Sequence, residues 1–358
     1  MTSLQRFWRR ANFILRIMRA RMIGRPVPLY VGLAVTSHCN LSCSFCYGLY
    51  YNNELPDLPL EDLIELIDHF GKRGTAYINI AGGEPLMRKD IGVIIRRCLS
   101  RGIMTSLTTN GTMIDRYLED LSLLDFVCVS VDGDEAGHNR VRGEGTHRLI
   151  MQNIELLRKR DVPVQVTCLM NRYNQENMRW IFEAGQEMGF TVKLHIPNEE
   201  TEIAPTNPDV NVTDGEIRDM LRNVIRWQKE GLPVDFSSTT YQYALNWPRS
   251  HWEPIIFEGE EEFSPPPWPC YSGRFWCQID ADGKVYPCCA MFKNFDGLDF
   301  REVGFDRAFA HLRSRKCVTC AYLSNNEFNQ LISLRLGVLL ENARRSLRFA
   351  GIFRNQFF

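Results

Sequence analysis

The sequence has little that marks a membrane-spanning, secreted or nucleic-acid-binding chain. No uninterrupted apolar run approaches the ~20 residues that a spanning helix needs. The first residues do not read as a secretion signal, because arginines break every apolar stretch that could form its core. Net charge is −1 over 358 residues, so no global field favours nucleic acid. Internal repeats and low-complexity tracts are missing as well. One absence is local: residues 1–25 hold Arg6, Arg9, Arg10, Arg16, Arg19, Arg21 and Arg25 but no Asp or Glu. What remains is 44% hydrophobic and 24% charged, a globular composition with room for one large domain and a small one.

Cysteine is the exception. Twelve Cys without a secretion signal predict reduced thiols that serve as metal ligands or catalytic groups. Cys39, Cys43 and Cys46 form one group. Cys270, Cys277, Cys288, Cys289, Cys317 and Cys320 form a second. Cys98, Cys128 and Cys168 are single and sit in apolar runs, where a free Cys is a small core residue.

From Leu29 to Pro197 short apolar runs alternate with helical periodicity. Candidate strands are Leu29–Thr36, Ala76–Ala81, Met104–Thr109, Phe126–Val131, Val164–Met170 and Thr191–Ile196. Leu60, Leu63, Ile64, Ile67 and Phe70 mark the clearest helix, with Pro59 opening it and Gly71 following its end. Ile91–Ser100, Ile114–Leu124, Arg148–Lys159 and Gln175–Met188 read the same way. This alternation predicts parallel strands joined by right-handed crossovers. The expected fold is α/β: a partial (β/α)6 TIM-like barrel with function at the C-terminal strand ends. The division expected is a basic amphipathic helix over 1–28, the barrel over 29–200, a linker and bridging helix over 201–269, a cysteine-rich module over 270–325 and a second basic helix over 326–358.

Cys39-x3-Cys43-x2-Cys46 directly follows the first predicted strand. Three thiolates within eight residues can cap three corners of an iron–sulfur cubane and leave one iron open. A structural zinc site prefers four protein ligands. No fourth Cys stands at close spacing, and His38 has no loop with which to reach round. Three further segments end predicted strands: Gly82-Gly83-Glu84-Pro85, Thr109-Asn110-Gly111, and Ser130-Val131-Asp132-Gly133, the last followed by Asn139-Arg140-Val141-Arg142-Gly143. Glycine lets backbone approach a ligand closely. This register of motifs resembles the radical S-adenosylmethionine superfamily.

The resemblance implies a cofactor and a reaction. Cys39, Cys43 and Cys46 would hold a [4Fe–4S] cluster. Gly82, Gly83, Glu84, Pro85, Thr109, Asn110, Ser130, Asp132 and Arg142 would surround S-adenosylmethionine. Reductive cleavage would give methionine and a 5′-deoxyadenosyl radical that abstracts hydrogen from an unidentified substrate. The cofactor supplies the hard chemistry and the protein supplies position. An external one-electron donor such as flavodoxin or ferredoxin is also implied. An isolated polar strand end can equally be a turn or cap, and Arg142 can equally make a surface ion pair.

The late cysteines resemble the auxiliary-cluster extension called SPASM, in its short or twitch form. Asp282-Gly283 is a hairpin signal between Phe275–Ile279 and Lys284–Tyr286, which brings Cys270 and Cys288 to one end of a ribbon. Cys317 and Cys320 are expected from a helix start or turn. Together the four imply one auxiliary [4Fe–4S] cluster, with a four-Cys zinc site as the alternative on spacing. Cys277 and Cys289 are left as substitute ligands, packing residues or hydrogen-atom donors.

His195, Asn198, Glu199 and Glu200 follow the sixth strand as candidate substrate contacts or as plain solvated loop. Tyr241, Tyr243, Trp247 and Trp252 either wall the site or join the two modules. Leu4, Phe7, Trp8, Ala11, Ile14, Leu15, Met18 and Met22 share one helical face among arginines. That face either packs on the barrel or lies on an anionic membrane, as the basic tail over Leu331–Phe353 does in the same reading. The expected setting is cytoplasmic, with peripheral membrane contact possible and no nucleic acid. Substrate classes left open are a peptide, a sugar-like small molecule and a lipid. The rival readings are a non-catalytic iron–sulfur sensor and a zinc-stapled binding protein, neither of which needs an intact cofactor cradle.

Overall fold

The computed structural model of the chain describes residues 3–46, 56–197, 210–260, 268–292, 294–335 and 337–341. Six parallel strands run in chain order: β1 (Tyr30–Ala34), β2 (Tyr77–Ala81), β3 (Met104–Thr109), β4 (Phe126–Ser130), β5 (Val164–Leu169) and β6 (Thr191–His195). All six fall on the predicted runs, and the sheet curves without closing into a barrel. Helices α1 (Ser3–Ile23), α2 (Leu60–Arg73), α3 (Ile91–Ser100), α4 (Leu118–Leu121), α5 (Glu135–Arg142), α6 (Thr146–Lys159) and α7 (Arg179–Met188) precede or connect these strands.

Burial along the strands follows the two-residue period of a sheet with two different faces. Ile78, Ile80, Val164, Val166, Cys168, Val192 and Leu194 are buried against the helices. Their neighbours Asn79, Gln165, Thr167, Lys193 and His195 are only partly buried and share the concave face. A parallel sheet covered tightly on both sides would bury both sets. The concave face therefore lines an accessible, polar lumen. Its floor is aromatic: Tyr30 stacks on Tyr77 at 5.0 Å, Tyr77 meets Phe126 at 6.0 Å and Phe13 of α1 at 6.2 Å.

Three helix predictions need correction. α2 continues through Gly71 to Arg73, and Gly74 ends it at φ 84°. α7 starts at Arg179, not Gln175. The side chains of Asn171 and Asn174 hydrogen-bond to nearby backbone N–H groups, a local alternative to helix. Residues 114–124 split into a 3-10 turn, Ile114–Tyr117, followed by α4.

After α8 (Asp214–Glu230) and α9 (Ser238–Leu245), the chain forms β7 (Ile255–Phe257) and the ribbon β8 (Trp276–Ile279) and β9 (Lys284–Tyr286). The hairpin is the predicted one, but its placement was not foreseen. β8 pairs parallel to β1, and β10 (Leu298–Asp299) follows β9, giving a nine-stranded sheet. The free edge of β1, which would offer unpaired backbone groups, is thereby covered. α10 (Phe300–Val303) and α11 (Phe305–His311) follow, and Phe305 packs edge-on to Phe70 of α2 at 4.9 Å.

Cys317 and Cys320 lie in neither a helix start nor a turn. They begin and end β11 (Cys317–Cys320), which pairs antiparallel with β7. Residues three apart on a regular strand face opposite sides. The register shifts between Cys317 and Thr319, and such a bulge inserts one residue and restores a common side. Helix α12 (Leu323–Ile332) starts ahead of the predicted tail helix, residues 337–341 are helical again, and α12 ends at Ile332, inside the predicted range. Leu334 follows with φ 53°. Residues 342–358 lie outside the described residues, as do Asn198, Glu199 and Glu200.

Candidate active site

Four consecutive strand ends are tied together by hydrogen bonds. Gly82 follows β2 at φ 134°, and a Cβ there would meet the Thr36 carbonyl oxygen at 2.4 Å. This close approach requires glycine. It lets Gly83 N–H donate to Thr36 O (2.9 Å) and Glu84 N–H to His38 O (2.8 Å), binding the second loop to the one that carries Cys39.

Glu84 is fully buried. Its Oε1 accepts from Leu86 N–H at 3.0 Å and from the Thr109 hydroxyl at 2.8 Å; Oε2 accepts from Asn110 N–H at 2.7 Å. Burial still pushes its pKa up to about 7, against the pull of these donors. Both carboxylate oxygens are thus engaged by the protein, and Glu84 clamps the end of β2 to the end of β3. Asn110 then reaches back: its side-chain amide donates to Asn40 Oδ1 at 2.8 Å and approaches Cys39 Sγ at 3.9 Å.

The β4 end supplies a second clamp. Asp132 is fully buried. Its Oδ1 accepts from Leu169 N–H at 2.8 Å, and its Oδ2 pairs with Arg142 Nε at 2.5 Å. Arg142 is a largely buried partner, not a surface one. Its guanidinium lies over the Phe45 ring at 5.1 Å and points Nη1 at Cys43 Sγ, 3.9 Å away. Asp132 N–H donates to His138 Nδ1 at 3.0 Å, so the His138 proton sits on Nε2. Burial lowers the His138 pKa to about 4. Ser130 ends β4 on the lumen face, opposite Thr167.

The three cysteines are partly exposed, and two of their sulfurs face N–H donors. Burial raises the Cys43 thiol to about 11, with Arg142 opposing the shift. A bound metal deprotonates such a thiol outright, and N–H donors toward sulfur are what a thiolate cluster uses. The donor set therefore fits an iron–sulfur cluster held by three protein ligands.

The second cysteine group builds a different site. Cys270, Cys288, Cys317 and Cys320 line one small cavity beside Met291 and Asn325. Arg315 donates to Ser272 O (3.1 Å), Cys270 O (2.9 Å) and Cys317 O (2.5 Å), and approaches Cys317 Sγ at 3.7 Å. Asn325 approaches Cys320 Sγ at 3.9 Å. Burial raises the Cys288 and Cys320 thiols far above their ordinary value, and the neighbouring thiols add to the shift. Among the described residues no three His, Cys, Asp or Glu side chains converge as ligands of a single ion. Cubane ligands bind different irons and need no common point.

The remaining candidates separate. Cys277 packs in the main core beside Val31, and Cys289 is partly exposed outside the cavity lining. Cys98 and Cys168 are core residues; Cys128 is also buried but faces Gln165 Oε1 at 3.7 Å. His195 lies on the lumen face against Phe236, its pKa lowered to about 4 by burial. Tyr241 and Trp247 are buried, and Tyr243 shares a 2.8 Å hydrogen bond with Thr319 of β11. These aromatics join α9 to the β7–β11 pair. Trp252 is partly buried, with Nε1 donating to Val212 O.

Sequence reading missed Arg315 and Asn325, whose only signal is proximity to the Cys317–Cys320 pair. It also missed the lumen ion pair Lys193–Asp235 at 3.7 Å. A charge inside an alternating apolar strand was the available signal for Lys193.

Residues 33–185 match the Radical SAM superfamily. An AdoMet-dependent heme synthase of Methanosarcina barkeri is 26% identical over 324 residues, covering 82% of this chain and 89% of the relative. A PqqA peptide cyclase of Granulibacter bethesdensis is 24% identical over 296 residues, covering 77% and 71%. Streptococcus suis SuiB bound to S-adenosylmethionine shares the fold at TM-score 0.64 and 17% identity, over 83% of this chain and 70% of SuiB. The same protein bound to its precursor peptide SuiA gives 0.63 at 17% identity, over 84% and 72%. The three-cysteine loop, the Gly82–Pro85 turn and both carboxylate clamps all fall inside the matched segment, and residues 33–185 form a Radical SAM domain.

Proposed function

We propose that Cys39, Cys43 and Cys46 hold the [4Fe–4S] cluster of this enzyme beside S-adenosylmethionine, and that Cys270, Cys288, Cys317 and Cys320 hold an auxiliary [4Fe–4S] cluster. When bound, the first pair supplies reductive cleavage to a 5′-deoxyadenosyl radical. The observation that carries the assignment is the aim of Asn110 and Arg142 at Cys39 and Cys43 from two separately clamped strand ends.

The protein's own work is positioning. Glu84 fixes the β2 and β3 ends relative to the cysteine loop. Asp132 orients Arg142, whose guanidinium has a further face available for a carboxylate. Gly82 and Gly83 keep backbone close to the cofactor position. At the second site four thiols leave no ligand position to the solvent, which suits electron transfer and not S-adenosylmethionine binding.

For the substrate we infer a polar group of a peptide, entering from the C-terminal strand ends. The lumen below that rim carries Asn79, Gln165 and the partly buried pair Lys193–Asp235, polar groups that a substrate can meet. A peptide cyclase and a peptide-bound solved structure are among the proteins this chain resembles. The electron comes from an external donor of the flavodoxin or ferredoxin kind, the setting is cytoplasmic, and the membrane contact is a peripheral one. No helix among the described residues is long and apolar enough to cross a membrane.

The test is 5′-deoxyadenosine formation by anaerobically reconstituted protein given S-adenosylmethionine and a strong reductant. Wild type forms it and Cys43→Ala does not. Equal formation by both would overturn the ligand assignment.

A further inference from the structure

A surface helix normally turns its apolar stripe inward and its charges outward. Helix α1 does much of the reverse. Five of the ten large hydrophobic side chains exposed on the described surface belong to it: Trp8, Leu15, Met18, Met22 and Ile23. Trp8, Leu15 and Met22 recur every seven residues, and Met18 falls between them on the same face. Trp8 is 64% exposed and Met22 81%.

The opposite face packs on the barrel through Phe13, Ile17 and Ala20, and it takes arginines with it. Arg6 donates to Asp161 O at 2.7 Å, Arg9 to Ile103 O at 3.1 Å and Leu99 O at 3.4 Å, and Arg16 to Thr75 O. These carbonyls lie just past or at the C-terminal ends of α6, α3 and α2, where a cation meets the negative end of each helix dipole. Three arginines are thus committed to the fold. Arg10, Arg19, Arg21 and Arg25 remain exposed around the apolar stripe, and no acid occurs in residues 1–25.

The loops capped by α1 lead into β2, β3 and β5, and Arg9 also pairs with Asp125 just ahead of β4 at 3.5 Å, so the helix crosses the N-terminal end of the barrel. The cysteine loop and both clamps lie at the C-terminal end. Between them Phe13, Tyr30, Tyr77 and Phe126 close the floor.

We propose that α1 docks the protein on an anionic lipid surface, with Trp8, Leu15, Met18 and Met22 in the interface and Arg10, Arg19 and Arg25 against the headgroups. Apolar burial combined with basic flanks is the recognition expected of an anionic bilayer. Docking through this face turns the catalytic rim away from the bilayer. A substrate then arrives from the aqueous side, and a lipid cannot be drawn up through the floor. The docking stands on α1 alone; the orientation also rests on the site being at the C-terminal strand ends.

The experiment is co-sedimentation of the full chain with phosphatidylcholine vesicles, with and without phosphatidylglycerol. Wild type should pellet with the anionic vesicles and stay in solution with the neutral ones. Leu15→Glu/Met22→Glu, altered only at exposed positions, should stay in solution with both. With brominated lipid the tryptophan emission of wild type should be quenched, and that quenching should vanish in Trp8→Phe, because the other tryptophans lie off this face. Wild type that does not pellet overturns the proposal, as does quenching that persists in Trp8→Phe. A lipid-free dimer that the double Glu variant disperses, without vesicle binding by wild type, would assign the face to a second copy and overturn it too. 5′-Deoxyadenosine formation without vesicles should be equal in wild type and the double variant. Its absence from both, with vesicle binding intact, would sink the catalytic reading and leave the docking standing.

Discussion

The two cysteine sites use the same means for different ends. Each points one arginine and one asparagine at its sulfurs: Arg142 and Asn110 at the first, Arg315 and Asn325 at the second. The first has three partly exposed thiols at an open rim. The second has four around a cavity, two of them buried. The arginines differ too. Arg142 is held by a buried carboxylate, whereas Arg315 is held by backbone carbonyls. On the proposed assignment, ligand number separates a site that admits a small molecule from one that excludes it.

The largest effect that sharpens this contrast is on catalysis. Cys43→Ala should abolish 5′-deoxyadenosine formation and lose about half the iron. Cys320→Ala should also lose about half the iron yet keep cleavage of S-adenosylmethionine, with product formation from substrate impaired. Iron analysis beside nucleoside quantification checks both, and identical phenotypes would erase the distinction between the sites.

Stability should separate the arginines next. Arg142→Ala leaves Asp132 buried and unpaired, a loss of about 3–5 kcal/mol. Arg315→Ala strands only backbone carbonyls and should cost about 1–3 kcal/mol. Urea unfolding of the two variants, prepared without iron, measures the difference; a larger loss for Arg315→Ala would reverse the comparison.

Acid should act through the open site. His138 has a folded pKa of about 4 against an unfolded value of 6.5, with burial as the main cause. The unfolded chain therefore takes up the proton first as pH falls. Stability is lost from pH 6.5 down to about 4 and changes no further below that. The shift amounts to roughly 3 kcal/mol. Glu84, raised to about 7, works in the opposite sense, gaining stability as pH falls toward 4.5. The pH dependence of wild type minus that of His138→Gln isolates the histidine, and a flat difference across this window would contradict its buried neutral state.

The smallest effect is at Thr109→Val, which deletes one of three donors to Glu84 and should cost about 1 kcal/mol with a further rise in the Glu84 pKa. Thermal unfolding would register it as a shift of a few degrees at most.

Much of this was legible beforehand where a period or a fixed spacing carried the signal. The six strands came from apolar runs, and the cysteine loop from its spacing. The ribbon came from Asp282-Gly283. Long-range pairing left no such trace. Nothing in Trp276–Ile279 says that it lies beside β1, because edge pairing depends on tertiary placement. The strand at Cys317–Cys320 was hidden because a bulge breaks the two-residue period that would have revealed it. The motif residues Glu84 and Asp132 were found, but their partners show how they act: both spend their carboxylates on the protein. The N-terminal helix offered two readings, and it packs through Phe13, Ile17, Ala20 and three arginines while exposing Trp8, Leu15, Met18 and Met22, an outcome that amphipathicity alone does not rank.

The most direct test of the account is the electron paramagnetic resonance spectrum of the reduced, fully reconstituted protein before and after S-adenosylmethionine is added. The open-site assignment predicts a change in signal for wild type and for Cys320→Ala, and none for Cys43→Ala. A change that survives in Cys43→Ala, or disappears in Cys320→Ala, would place the cofactor at the other site and contradict the account.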